Sequence, residues 1–104
     1  MRIVAVTACP TGIAHTYMAA DKLINAAKQF KVAIKVETQG AMGVENRLSR
    51  QDIDAAELVI LAADIRIEQP ERFEGKPCLQ VSISEALNQT EQLLLSTMNG
   101  RTPQ

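Results

Sequence analysis

An unbroken apolar run, Ile3–Val6, gives way within three residues to a Cys-Pro-Thr-Gly turn at Cys9–Gly12, and a helical pattern follows at once. No other stretch constrains the fold as tightly. A strand with one wet face would alternate, so a short uninterrupted run reads as a strand buried on both faces. The run "LVILAA", Leu58–Ala63, repeats that pattern. Between the two, a helix is expected from Thr16, with Ala19, Leu23, Ala26, Ala27 and Phe30 at helical spacing and Asp21, Lys22, Lys28 and Gln29 facing water.

The remaining segments extend the alternation. "KVAIKVE", Lys31–Glu37, has a period of two, the mark of a strand with one wet face or of an edge strand, and the two glycines of "TQGAMG" end it. Ser49 and Asp52 have the spacing of a capping box and predict a short helix. Pro70 and the "RFEGKP" turn lead into a fourth strand, Cys78–Ser82, in which Cys78 reads as a core residue. A last helix is expected to open near Ser84, with Ile83, Leu87, Leu94 and Met98 along one face and Gly100 as its stop.

Strands alternating with helices predict an α/β fold: a small four-stranded parallel sheet with helices on both faces, Rossmann-like, in the strand order 2-1-3-4. The 104 residues contain no Pro-, Gly- or Ser-rich linker, so one domain over 1–104 is expected, with 101–104 as a flexible tail. A chain of this length buries roughly two thirds of its unfolded surface, enough for a core without metal or disulfide staples. With 3% aromatic residues and no Trp, aliphatic side chains must build that core.

Composition also excludes function classes. A net charge of -1 provides no basic field for nucleic acid or anionic lipid, and the scarcity of aromatics leaves no base-stacking platform. The two cysteines form no CxxC and the single histidine completes no zinc set, so neither a structural metal nor a cofactor is expected. No window approaches ~18 apolar residues, and the opening run is too short for a signal sequence. A cytoplasmic chain with reduced thiols is expected, without direct membrane insertion.

In parallel α/β sheets the working edge lies at the carboxyl ends of the strands, and Cys9 falls on that edge. A thiol just ahead of a helix faces unpaired N–H groups and the positive end of the helix dipole, a setting that favours a negative group. Two consequences follow: the thiolate, which is the nucleophile, is favoured, and the loop becomes a cradle for an anion such as phosphate. Gly12 lets the backbone turn and keeps bulk away. Pro10 has no N–H to donate, so the phosphate-binding set is Thr11, Gly12, Ile13, Ala14, His15 and Thr16, with Thr11 and Thr16 adding hydroxyls. Each element also has a plainer reading: Cys9 as a small core residue, which its place in a loop argues against, Pro10 and Gly12 as a turn, His15 or Thr16 as a helix cap.

Cysteine phosphatases carry a loop in which five residues separate the cysteine from an arginine followed by a hydroxyl residue. Here His15 occupies the arginine position and Thr16 the hydroxyl position. Without the bidentate guanidinium, the clamp that hydrolysis would use is missing. The loop is suited to hold phosphate and poorly suited to discharge it to water, which is the behaviour of a carrier. A phosphatase and a redox or regulatory thiol are the competing readings; the first is opposed by His15 and the second by the lack of a resolving CxxC.

The segment "ACPTGIAHTYMAA" closely resembles the active-site segment of the IIB components of the bacterial sugar phosphotransferase system, in its fructose branch. The likeness continues in "VETQGAMG", "NRLSRQDIDAAELVILAAD" and "RFEGKP", and so covers nearly the whole chain; Asp21 and Ala41 stand where Glu and Ser are expected. The resemblance implies a phosphotransferase working through a phosphocysteine. Cys9 would accept a phosphoryl group from phosphohistidine on the IIA component. It would then pass the group to a fructose-like sugar held by the membrane IIC component during uptake, at the inner face of the membrane. Asp64 is expected either to orient the loop from the neighbouring strand end or to be a solvated turn residue. Glu37–Gly43 and Arg66 border the same edge as candidates for partner docking.

Overall fold

The computed structural model describes residues 2–9, 13–40 and 43–98; the side chains of Ile13 and of 96–98 are not included. Its elements, in chain order, are β1 (Arg2–Ala8), α1 (Ile13–Gln29), β2 (Ala33–Gly40), β3 (Gly43–Glu45), α2 (Arg50–Ala55), β4 (Leu58–Ala63), a 3₁₀ turn (Pro70–Phe73), β5 (Cys78–Val81), α3 (Ile83–Asn88) and α4 (Thr90–Met98). They form one five-stranded sheet in the order β3-β2-β1-β4-β5. The pairs β1–β2, β1–β4 and β4–β5 are parallel, whereas β2–β3 is antiparallel.

This corrects the expected four-stranded, all-parallel sheet of order 2-1-3-4. The added strand is Gly43–Glu45, three residues that open on a glycine with φ of +91° and are followed by a left-handed Asn46. So short a segment has no periodicity to read, and its glycine resembles a loop. Its presence means that β2 is not an edge strand. β2 also runs three residues past Glu37, through Thr38 and Gln39, which are polar yet buried.

Strand alternation sends side chains to two separate cores. Ile3 and Ala5 of β1, and Cys9 just past its end, join Val36, Ile60, Ala62, Leu79 and Val81 beneath α1, α3 and α4. Val4, Val6 and Ala8 face the other way, packing with Val59, Ile53, Ile67 and Phe73 under α2 and the 3₁₀ turn. Helix α1 lays Ala19, Ala20, Leu23 and Ala27 on the sheet. It ends in a Schellman motif: the Lys31 N–H bonds the Lys28 carbonyl at 3.2 Å and the Val32 N–H bonds that of Ala27 at 2.8 Å. Lys31, not glycine, takes the left-handed position, with φ of 59°.

Three further boundaries differ from expectation. Helix α1 starts at Ile13, not Thr16, since Ala14 is a strong helix former and nothing from Ile13 onward interrupts the turn. The capping box expected at Ser49 and Asp52 is present. A second one, Ser82 with Glu85, starts α3 earlier than Ser84. The single last helix is two helices. The Thr90 hydroxyl donates to the Ala86 carbonyl, the acceptor a continuing helix would give to the Thr90 N–H, and Gln89 leaves helical geometry with φ of −128° and ψ of 31°. The expected stop at Gly100 and the tail at 101–104 lie outside the described residues.

Candidate functional site

The register places the thiol. Ala8, the last residue of β1, stands level with Gln39 of β2 and Ala63 of β4, so the next step sets Cys9 between Gly40 and Asp64 at the carboxyl edge of the central strand. Four residues further on, α1 begins, pointing its N-terminus at that edge. Cys9 is only 8% exposed and belongs to the core beneath α1, more buried than a loop cysteine is expected to be. At Gly40 a Cβ would meet no atom of the described residues within 4 Å, and Gly40 has no positive φ to require glycine.

Of the residues singled out for phosphate, Ile13, Ala14, His15 and Thr16 make up the first turn of α1. Ala14 and His15 are exposed, and Thr16 is buried. Pro10, Thr11 and Gly12 lie outside the described residues. The Thr16 carbonyl accepts a hydrogen bond at 3.1 Å from the Oγ1 of Thr7, a fully buried residue of β1. Asp64 is exposed, and its N–H bonds the Ala8 carbonyl at 3.2 Å while its Oδ1 accepts the Ile83 N–H at 3.1 Å. It thereby ties the ends of β1 and β4 to the start of α3.

Glu37 proves not to be a docking residue. It is completely buried, and its carboxylate receives two bonds from the Arg72 guanidinium, Nη1 to Oε1 at 2.8 Å and Nη2 to Oε2 at 3.0 Å. Gln39 Nε2 and the Leu48 N–H complete the set at 2.7 and 2.9 Å. Gln39 in turn accepts the Glu68 N–H at 2.7 Å. Burial pushes the Glu37 carboxyl up, but the bonds from Arg72, Gln39 and Leu48 outweigh it and hold the group below the usual carboxylate range. The network joins the end of β2 to the loops before α2 and after β4. The polar triplet Glu37-Thr38-Gln39 inside a strand is its one local signal; Arg72, 35 positions away, has none. Ala41 and Met42 lie outside the described residues, and Arg66 is exposed.

Cys78 is exposed, not core. It starts an edge strand in which Leu79 and Val81 point inward while Cys78 and Gln80 point out. Among the described residues, no three His, Cys, Asp or Glu side chains gather as a metal site, and no helix is long and apolar enough to cross a membrane.

Comparison with known proteins shows where this arrangement recurs. The family model described as "PTS system, Lactose/Cellobiose specific IIB subunit" matches residues 4–96. The chain is 50% identical over 93 residues to the PTS system fructose-like EIIB component 2 of Escherichia coli, covering 89% of this chain and 88% of that protein. It is 48% identical over 102 residues to the PTS system fructose-specific EIIABC component of Bacillus subtilis, covering 98% of this chain but 16% of that much longer one. A crystal structure of a domain from a fructose-specific IIABC component of Borrelia burgdorferi superposes with a TM-score of 0.89 at 49% identity, over 98% of this chain and 95% of that one.

Proposed function

Since the chain belongs to the fructose-family IIB components of the bacterial sugar phosphotransferase system, we propose that it is a phosphoryl carrier in which Cys9 is the atom of exchange. The observation that carries this reading is the position of the thiol, at the end of the central strand and directly ahead of the N-terminus of α1. A helix N-terminus presents the positive end of the helix dipole and backbone N–H groups without intrahelical acceptors, and both favour a doubly charged phosphoryl group.

In the first step the Cys9 thiolate attacks phosphorus in the phosphohistidine of a IIA component. The S–P bond forms as the P–N bond breaks, and the imidazole nitrogen keeps the electron pair and takes up a proton. In the second step a hydroxyl of a fructose-like sugar, held by a membrane IIC component, attacks the same phosphorus. The S–P bond breaks, sulfur leaves as thiolate and the hydroxyl proton is released. The protein's part is positioning and charge stabilisation. The backbone from Thr11 to Thr16 holds the equatorial oxygens, and His15 adds a hydrogen-bond donor from the exposed side of the first turn. The carrier works at the cytoplasmic side of the membrane, where IIC delivers the sugar.

Incubation with a phosphorylated fructose-type IIA component is expected to place one phosphoryl group on Cys9, read by mass spectrometry, and Cys9→Ser is expected to take up none. Sustained release of inorganic phosphate from an aryl phosphate would replace the carrier with a phosphatase.

A further inference from the structure

Strand β1 reads RIVAVTA, and its single hydroxyl lies at Thr7, two residues before the thiol. Thr7 is fully shielded from solvent, and its Oγ1 donates to the Thr16 carbonyl at 3.1 Å. The two residues stand on either side of the cysteine loop, one in the strand that enters it and one in the helix that leaves it. Thr16 lies within the continuous helix Ile13–Gln29, so its carbonyl already has a helical donor available four residues on. The bond from Thr7 is therefore an addition to that carbonyl and not the repair of an orphan.

The tie reaches the first turn of α1. Among the described side chains of that turn, Ala14 and His15 are exposed and Thr16 is buried, and the described buried apolar side chains of the helix start at Ala19, Ala20 and Leu23. We infer that Thr7 is a positioning residue for phosphoryl transfer: its bond to Thr16 locks the leading turn of α1 to the end of β1, so that the helix N–H groups keep a constant place relative to the Cys9 sulfur. The inference rests on the reading of Cys9 given above. Transfer that depends on alignment is sensitive to displacements well under the length of a bond to phosphorus, and a misplacement of about 1 Å can cost about 100-fold.

Thr7→Val removes the hydroxyl and keeps the branch; Thr7→Ser keeps the hydroxyl. With a phosphorylated IIA component as donor, Thr7→Val is expected to lower kcat about 10-fold at unchanged KM, because a buried residue touches no partner. Thr7→Ser is expected to restore most of the rate. In the isolated protein, amide exchange at Tyr17–Ala20, whose helical acceptors lie in the first turn, is expected to quicken in Thr7→Val and not in Thr7→Ser. Wild-type protein that accepts no phosphoryl group would refute the carrier reading, and the exchange comparison would then decide the tie by itself. Exchange and kcat both unchanged in Thr7→Val, or losses equal in the two variants and tracking a fall in melting temperature, would overturn the inference.

Discussion

At its carboxyl edge the sheet has two unlike faces. Under α1 the edge is built from Cys9, Val36, Ala62 and Val81, with Thr7 tied to the first turn of the helix by one side-chain bond. On the opposite face, Glu37, Gln39 and Arg72 form an ion pair and hydrogen bonds that reach the loops at Leu48 and Glu68. The first face is apolar around Cys9, with Thr7 as a buried hydroxyl beside it. The second has directional bonds that pin two loops and the 3₁₀ turn to the end of β2. The division separates tasks: the ionic face ties loops to the end of β2, and the apolar face seats Cys9 and the helix that follows it.

The contrast is easiest to break at the ionic face. Arg72→Met strands a fully buried carboxylate beside Gln39 and is expected to cost about 3–5 kcal/mol. Leu23→Ala, under α1, is expected to cost about 3 kcal/mol through transfer and cavity terms. Urea unfolding of both variants measures the difference, and an Arg72 variant no less stable than the wild type would erase the distinction between the faces.

Acid sharpens it further. Glu37 has a folded pKa below its unfolded value of about 4.3. Its contribution to stability is therefore present above that pH and lost as pH falls through the folded value. Glu37→Gln has no such titration, so its deficit relative to wild type is expected to shrink as urea midpoints are followed from pH 6 downward below about 4. A deficit constant over that range would mean that the carboxylate charge contributes nothing. The smallest effect is expected on the outer edge of the sheet, away from both networks. Cys78→Ser should change stability by no more than about 0.5 kcal/mol and leave phosphoryl uptake on Cys9 unaltered. Partial burial raises the Cys78 thiol, so it is a poor nucleophile at neutral pH.

Much of the scaffold was legible because it depends on local pattern. Buried strands β1 and β4 are unbroken apolar runs, and Ser49 with Asp52 announces α2 through a bond between near neighbours. What escaped depends on partners distant in sequence or on segments too short to have a period. Strand β3 exists because β2 pairs with it, and three residues cannot advertise that. The break before α4 turns on a single hydroxyl at Thr90. Cys78 reads as core within an apolar strand, yet the same strand contains Gln80 on its face, and that alternation marks the wet side. In the site, Cys9 and the helix after it were legible from the strand-turn-helix order, while the Glu37–Arg72 pair was not, because a salt bridge between residues 35 apart leaves no periodicity.

The near-complete burial of the sulfur at the end of the innermost strand has a kinetic consequence. At 8% exposure Cys9 offers little surface, so on the carrier reading proposed above the giver and the taker would use that surface in turn. Such a carrier would alternate between charged and discharged forms, at a pace set by how quickly each visitor departs.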